Sequence, residues 1–138
     1  MKFIQTLASA VLVIGSIAAL PAAHAQPSGI GRTDVLRSDL SVDGREIIQV
    51  RVDFAPGVAF PRHSHPGEEI AYVLEGTLEY VLDGKPPVTL KAGQALLIPA
   101  GANHTARNVG TVKASELATY LVSKGKPILV LAEGEQVK

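Results

Sequence analysis

The amino-acid sequence predicts an all-β domain, built as an antiparallel sandwich or barrel. Short apolar segments that favour strands recur about every 8 to 12 residues, with Gly or Pro between most of them. No segment of the domain has a convincing helical period, which argues against βαβ units. The one ambiguous stretch is residues 115–121 (SELATYL), which we assign to a strand because Gly110, Gly125 and Pro127 lie on either side of it.

The strands can be placed in order along the chain. Residues 34–40 are a weak candidate, and Asp43-Gly44 then signals a turn. Residues 45–54 alternate well, with apolar side chains on one face and polar ones on the other, and are predicted to form a half-buried strand. The other predicted strands are 69–75, 77–82, 88–90, 95–98, 104–109, 117–122 and 128–131.

The segment 69–75 is largely apolar on both faces, which is unusual for a strand with one face in water. One face carries Ile70, Tyr72 and Leu74, and the other carries Glu69, Ala71 and Val73. A strand of this kind is normally covered on both sides. If Glu69 points into the barrel, the opposite face must meet the N-terminal strands or a second subunit, and the sequence leaves both alternatives open.

The first 25 residues do not resemble part of the domain. Lys2 is followed by an apolar run over residues 7–20 and by the A-x-A site that ends at Ala25. We therefore predict a secretory signal peptide over residues 1–25 and a location in the periplasm or outside the cell. A retained membrane anchor is the alternative, but the apolar run is shorter than the roughly 20 residues that span a bilayer.

Cleavage would leave a chain that begins at Gln26, with a flexible leader over residues 26–33 and a single domain over residues 34–138. Without Lys2, 12 basic residues face 13 acidic ones, and there is no basic stripe or run of like charges. This composition gives little support to binding of nucleic acid or of an anionic membrane. The chain has no cysteine, so an exported domain must be held by its core and by any metal that it binds.

The three histidines that remain after cleavage point to a metal site. His63 and His65 are two residues apart, which on a strand puts both side chains on one face. Glu69 lies four residues further on, and His104 must arrive through folding. Three imidazoles and one carboxylate suit a divalent transition metal, and an open coordination position would admit a substrate.

Two alternatives to this ligand set have to be weighed. A lone histidine in an apolar context is more often structural, but here His63, His65 and Glu69 lie at metal-ligand spacing. Glu68 is the rival carboxylate, and strand alternation puts it on the face opposite to Glu69. We therefore predict His63, His65, His104 and Glu69 as the ligands.

These residues match two motifs of the cupin superfamily at every position. The first motif, G-x5-H-x-H-x3-E-x6-G, falls on Gly57, His63, His65, Glu69 and Gly76. The second, G-x5-P-x-G-x2-H-x3-N, falls on Gly93, Pro99, Gly101, His104 and Asn108. The chain thus resembles a small single-domain cupin, of the kind described as similar to quercetin dioxygenase. The resemblance implies a jelly-roll barrel, or double-stranded β-helix, whose matched histidines and glutamate hold Fe, Mn, Ni, Cu or Zn.

The resemblance also implies a function, a metal-dependent dioxygenase that acts on a small phenolic, enolic or dicarbonyl compound. Glu69 would be the candidate catalytic residue, a ligand that can dissociate and take a substrate proton. The alternatives are a non-catalytic periplasmic protein that binds a metal and a small ligand, and a metal-dependent isomerase, decarboxylase or lyase. The fold does not choose between them, because one barrel hosts many chemistries. The expected partner is a small-molecule substrate, with a homodimer as a further alternative.

Overall fold

The computed structural model describes residues 28–136 of the chain, and within that range it is built from ten β-strands and contains no helix. Accordingly, none of the described residues form a helix long and apolar enough to cross a membrane. The predicted signal peptide, residues 1–25, lies outside the described residues. The strands are β1 (Ile30–Asp39), β2 (Arg45–Phe54), β3 (Ala59–Ser64), β4 (Glu68–Glu75), β5 (Thr77–Leu82), β6 (Val88–Lys91), β7 (Ala95–Ile98), β8 (His104–Asn108), β9 (Ala114–Ser123) and β10 (Val130–Leu131).

The strands form two five-stranded antiparallel sheets that pack around one core. The first sheet has the order β1-β2-β9-β4-β7 and the second sheet the order β10-β3-β8-β5-β6. Side chains from both sheets are fully buried between them, including Val50, Phe54 and Val122 from the first and Leu78 and Tyr80 from the second. The prediction of an all-β jelly-roll barrel is therefore confirmed.

The register of the first sheet arranges its inner face in transverse rows. The row at the metal level consists of Ile48, Tyr120, Glu69 and Ile98. The next row consists of Val50, Ala118, Ala71 and Leu96, and the third of Arg32, Val52, Glu116 and Val73. Since side chains on one face repeat every two residues, neighbouring rows are about 7 Å apart. A row with two alanines at its centre thus separates the Glu69 row from the Glu116 row.

Strand β1 differs from its prediction, because it begins at Ile30. Residues 30–33, which we assigned to the flexible leader, belong to the sheet. The cause is pairing: Ile30 lies opposite Phe54, and β1 follows β2 along its whole length. A segment with a weak pattern of its own is fixed by a strongly patterned neighbour.

Strand β3 carries His63 but was not among the predicted strands. It contains Pro61, and its register against β8 shifts between Phe60 and His63, so the sequence shows no clear period there. By contrast, the ambiguous stretch 115–121 lies inside β9, as we predicted.

The outer face of β4 is exposed. Ile70, Tyr72 and Leu74 are each about two-fifths exposed, and Leu97 on the neighbouring β7 is 60% exposed. Strands β1 and β2 extend the same sheet instead of folding over it. Within residues 28–136 no strand covers this face, so the cover by N-terminal strands that we considered is not found there.

Tight corners hold the strands that carry the site. Gly76, between β4 and β5, has φ +76°, a conformation that side chains with a Cβ rarely adopt, and a Cβ there would lie 2.6 Å from the Cβ of Ala114. The buried Asn108 amide donates to the carbonyls of Phe54 (3.1 Å) and Val112 (2.7 Å) and accepts from the Gly110 amide (2.9 Å). Asn108 is therefore a corner residue.

Candidate metal centre

The two sheets contribute the candidate ligands from opposite sides of the barrel. His63 on β3 and His104 on β8 are direct partners in the second sheet, and His65 follows one residue after the end of β3. Glu69 comes from β4 in the first sheet. All four side chains are buried, so the structure brings the residues predicted from the sequence to one place in the interior.

The three histidines form a group that could hold a metal ion. One ring nitrogen from each imidazole lies within 4.8 Å of the other two. The ring centroids of His63 and His104 are 4.2 Å apart, and that of His65 lies 4.8 and 5.3 Å from them. Three imidazoles that converge in this way offer the nitrogen ligands preferred by divalent transition metals.

The Glu69 carboxylate faces the same point. Its Oε2 lies 3.0 Å from Nε2 of His65 and 3.3 Å from Nε2 of His104. The rival, Glu68, lies on the outer face of β4, where its carboxylate is 3.3 Å from the Arg45 guanidinium. Glu69 thus points into the barrel and Glu68 out of it, as strand alternation predicts.

Backbone carbonyls fix the orientation of all three rings. Nδ1 of His63 lies 2.7 Å from the Pro61 carbonyl, and Nδ1 of His104 lies 3.0 Å from the Ala102 carbonyl. Nδ1 of His65 is in hydrogen-bond contact with the carbonyl of Ile128. Because a carbonyl can only accept, each Nδ1 carries the proton. In the neutral ring each Nε2 is then an acceptor that is free to bind a metal.

This arrangement leaves two buried acceptors facing each other. Nε2 of His65 and Oε2 of Glu69 are 3.0 Å apart, and neither has a hydrogen-bond partner. A buried polar atom left without a partner costs about 1–3 kcal/mol. A divalent cation between them would satisfy both atoms, so the residues present fit a metal ion.

The surroundings lower the pKa of two of the candidate ligands, His63 and Glu69. Burial, followed by the neighbouring His104 and His65, lowers the pKa of His63 to about 3. For Glu69, burial alone would raise the pKa, but the imidazoles of His104 and His65 beside it outweigh burial and lower the pKa to about 2. Protons and a metal ion compete for the same ligand atoms, so metal binding would release any proton held there.

Another buried carboxyl group, that of Glu116, was missed by the sequence analysis. The Tyr80 hydroxyl donates to Oε2 of Glu116, two rows below the metal level. Burial, and then the charge of Glu69, raise the pKa of Glu116 to about 8, although the Tyr80 hydrogen bond works in the opposite direction. The sequence did contain a signal for a buried acid: Glu116 falls on the apolar inner face of the ambiguous stretch 115–121.

The two motifs and this geometry agree with the comparison with known proteins. The Cupin domain family matches residues 50–123 of the chain. The chain belongs to the cupin family.

Relatives of this cupin include proteins with different names and activities. Germin-like protein 1 of Brassica napus is 34% identical over 98 residues, which are 67% of this chain and 47% of the relative. Dimethylsulfoniopropionate lyase DddQ of Ruegeria pomeroyi is 32% identical over 79 residues, which are 57% of this chain and 39% of the relative. In the comparison of structures, the DddQ crystal structure matches 64% of this chain and 45% of its own, with a TM-score of 0.58 and 30% identity.

An oxalate oxidase in complex with the substrate analogue glycolate gives a TM-score of 0.62 at 29% identity, over 78% of this chain and 57% of its own. The chain therefore spans between 39% and 57% of the length of these relatives.

Proposed function

We propose that this cupin is an exported metalloenzyme whose metal ion is held by His63, His65, His104 and Glu69. The proposed activity is that of a dioxygenase-type oxidoreductase acting on a small phenolic, enolic or dicarbonyl compound. The observation that carries the metal site is the pair of facing acceptors, His65 Nε2 and Glu69 Oε2, buried at 3.0 Å without a hydrogen-bond donor.

The side chains of this chain would perform distinct tasks. A bound Fe, Mn, Ni, Cu or Zn ion would supply Lewis acidity and, for the redox-active metals, electron transfer. The three imidazoles, held at Nδ1 by backbone carbonyls, would offer Nε2 to the metal and keep their orientation. Glu69 is ionised, and a carboxylate that leaves the metal could take a proton from a bound substrate.

A second candidate function is a metal-dependent lyase, because the same barrel fold supports many kinds of reaction. Two observations favour it: the similarity to the lyase DddQ, and the presence of Glu116, a buried acid that is largely protonated near neutral pH. A lyase reaction that begins with removal of a substrate proton by Glu69 requires no oxygen. An isomerase or decarboxylase would use the same groups.

Metal analysis tests the first step of the proposal. Protein purified from its native compartment should contain about one equivalent of a transition metal, since four ligands converge on one point. His63→Ala and His104→Ala should each lose most of it. If wild type holds no stoichiometric metal, or if the variants hold as much as wild type, the ligand assignment is wrong.

Substrate conversion then separates the candidate functions. Flavonols, catechols and diketones should be tested in an oxygen electrode with the metal-loaded protein. Oxygen uptake that requires the metal would support the dioxygenase, whereas conversion under anaerobic conditions would favour the lyase, isomerase or decarboxylase. Binding of these compounds without conversion would indicate the non-catalytic alternative.

Export and self-association are parts of the same proposal. A mature N-terminus at Gln26, read by mass spectrometry on protein from the periplasm or the medium, would support cleavage after Ala25. A second copy of the chain is our proposal for the cover of the exposed outer face of β4. No nucleic-acid partner is proposed.

A further inference from the structure

A cleft of about 420 Å³ opens on one side of the barrel. One wall is formed by residues 34–37 of β1, and the other by residues 126–128, which precede β10. Ile48 reaches the cleft from the inner face of β2. The volume lies in the range of about 300–1,000 Å³ found for small-molecule sites.

The cleft lies one layer of side chains away from the metal centre. Ile48 is in the same row as Tyr120 and Glu69, and the Tyr120 ring centroid is 4.6 Å from that of His65. On the opposite wall, the Ile128 carbonyl accepts from Nδ1 of the same histidine. Both walls of the cleft therefore adjoin groups that contact a candidate metal ligand.

The wall of the cleft formed by residues 126–128 is attached to the barrel by few backbone hydrogen bonds. Residues 126–128 are followed by β10, which has only two residues and pairs only with β3. One further backbone bond, from the Ala132 amide to the Arg62 carbonyl at 2.9 Å, continues this pairing. Apart from the Ile128 carbonyl, which holds His65, and the packing of Ile128 and Leu129 against the core, few contacts attach this wall, and segments with few backbone bonds open at low free energy.

The lining of the cleft is mainly apolar, and its charges balance once Glu46, the partner of Arg37, is counted with them. Five of the eight lining residues are apolar: Val35, Leu36, Ile48, Pro127 and Ile128. Arg37 is engaged by Glu46 through two hydrogen bonds of 2.7 and 2.8 Å. The two other charged residues, Asp34 and Lys126, are of opposite sign. Such a lining favours a ligand with an apolar body over a small dianion, which would have to leave water without a matching charge.

We propose that this cleft is the substrate entrance of the metal centre, and that it selects small molecules that combine an apolar body with an oxygen-bearing end. The apolar body contacts Leu36, Ile48 and Ile128, and the oxygen-bearing end reaches the metal ligands. The inference rests on the proposed metal centre and narrows its substrate class. It places phenolic and enolic compounds ahead of oxalate-like diacids.

A pair of tryptophan variants tests the route. Leu36→Trp adds bulk at a lining position on β1, where Leu36 is 44% exposed. The matched control is Thr105→Trp, in a second cleft that lies over Phe60 and is lined from β3 and β8. Catechol binding to the metal-loaded proteins is measured by calorimetry, with metal content and thermal unfolding checked for each variant. We expect catechol to bind Leu36→Trp about tenfold or more weakly than wild type, and the control like wild type.

A polar variant tests the substrate class. Leu36→Ser removes apolar surface from the cleft and adds no bulk. Catechol affinity should fall by a factor of about five, because part of its buried apolar contact is lost, while oxalate affinity should stay unchanged. If oxalate binding falls as much as catechol binding, the selection for an apolar body is wrong.

The outcomes separate this inference from the function on which it rests. Full metal content with equal catechol affinity in wild type and Leu36→Trp would overturn the entrance and leave the metal centre intact. The same holds if metal-loaded wild type shows no saturable binding of catechol at millimolar concentration. Absence of metal from wild type would overturn both. If Leu36→Trp does not fold, Val35→Trp, at the adjacent lining position, takes its place.

Discussion

At the scale of single residues, Glu69 supplies the only negative charge among the proposed ligands. Its Oε2 faces Nε2 of both His65 and His104, so the affinity for a divalent cation should depend on this carboxylate. Glu69→Gln keeps the size and removes the charge. We expect metal affinity to fall at least about tenfold, measured by competition with a chelator.

Glu68→Gln is the matched control for this prediction. The substitution is the same, one position earlier on the same strand, but Glu68 lies outside the barrel beside Arg45. Metal affinity should stay close to that of wild type. Equal losses in the two variants would mean that the effect comes from the net charge of the protein and not from the site.

Glu116 gives a prediction for the pH dependence of stability. Its pKa is about 8 in the folded protein, against an ordinary value of 4.5. Between these values the folded chain keeps a proton that the unfolded chain releases, so stability falls as the pH rises from about 5 to 8. Glu116→Gln removes this dependence and should become more stable relative to wild type as the pH rises.

The measurement is urea unfolding of metal-free protein at pH 5 and pH 8.5. Metal must be absent, because a cation beside Glu69 would offset the charge that contributes to the raised pKa of Glu116. The other groups that face Glu116 are Tyr80 and Arg32, which act to lower its pKa. A stability difference between variant and wild type that does not change with pH would contradict the raised pKa.

At the scale of elements, two constraints require a glycine at position 76, in the corner between β4 and β5: the positive φ of the backbone and the close packing against Ala114. Gly76→Ala would place a Cβ at φ +76° and 2.6 Å from the Ala114 Cβ. A positive φ costs about 1–2 kcal/mol, and overpacking against a buried strand adds about 1–3 kcal/mol. We expect a loss of about 3 kcal/mol in the free energy of unfolding, measured with urea.

Gly84→Ala separates the cost of the positive φ from the cost of overpacking. Gly84 has φ +72°, but nothing lies within 4 Å of the position that a Cβ would take. Only the backbone term applies, so the loss should be about 1–2 kcal/mol. Losses of equal size in the two variants would show that Ala114 moves aside without cost.

Strand pattern predicted those elements whose own sequence alternates. Residues 45–54 and 77–82 form strands over the predicted ranges, because each has one apolar face to bury. The beginning of β1 and the whole of β3 could not be predicted in this way. Both are fixed by pairing with a neighbour, at Ile30 opposite Phe54 and at His63 opposite His104.

At the scale of the whole molecule, the outer face of the first sheet exposes several large apolar side chains. Ile70, Tyr72, Leu74 and Leu97 form an apolar area on β4 and β7, and apolar areas with a polar rim are typical of interaction sites. One end of the rim carries the Arg45–Glu68 ion pair. The other carries the network of Arg51, Asp53, Glu75 and Lys113, so each end is balanced in charge.

A rim balanced at both ends allows a copy related by a two-fold axis to approach without repulsion. We predict a dimer in light scattering of the wild type and a monomer for Leu97→Glu. Val130→Glu, on β10 of the second sheet, introduces the same charge at a position of similar exposure (50% against 60%) away from this face and should stay dimeric. A monomeric wild type at high micromolar concentration would refute the prediction.

The candidate site was predictable to the extent that it consists of side chains at fixed spacing. His63, His65, Glu69 and His104 are marked by their residue types, and the structure brings them together. The carbonyl of Ile128 was not predictable, because a backbone group carries no signature in the sequence. Neither was the cleft, since its walls come from residues about 90 positions apart that meet only in the fold.

That distance along the chain has a consequence for assembly. The ring of His65 is held by a carbonyl 63 residues downstream, and the first sheet joins Arg45 to Ser123. Contacts of this kind form late, since long loops must close before any of them is made. A half-folded chain therefore has no place ready for an ion, and uptake of the ion and completion of the native structure should appear as one kinetic event.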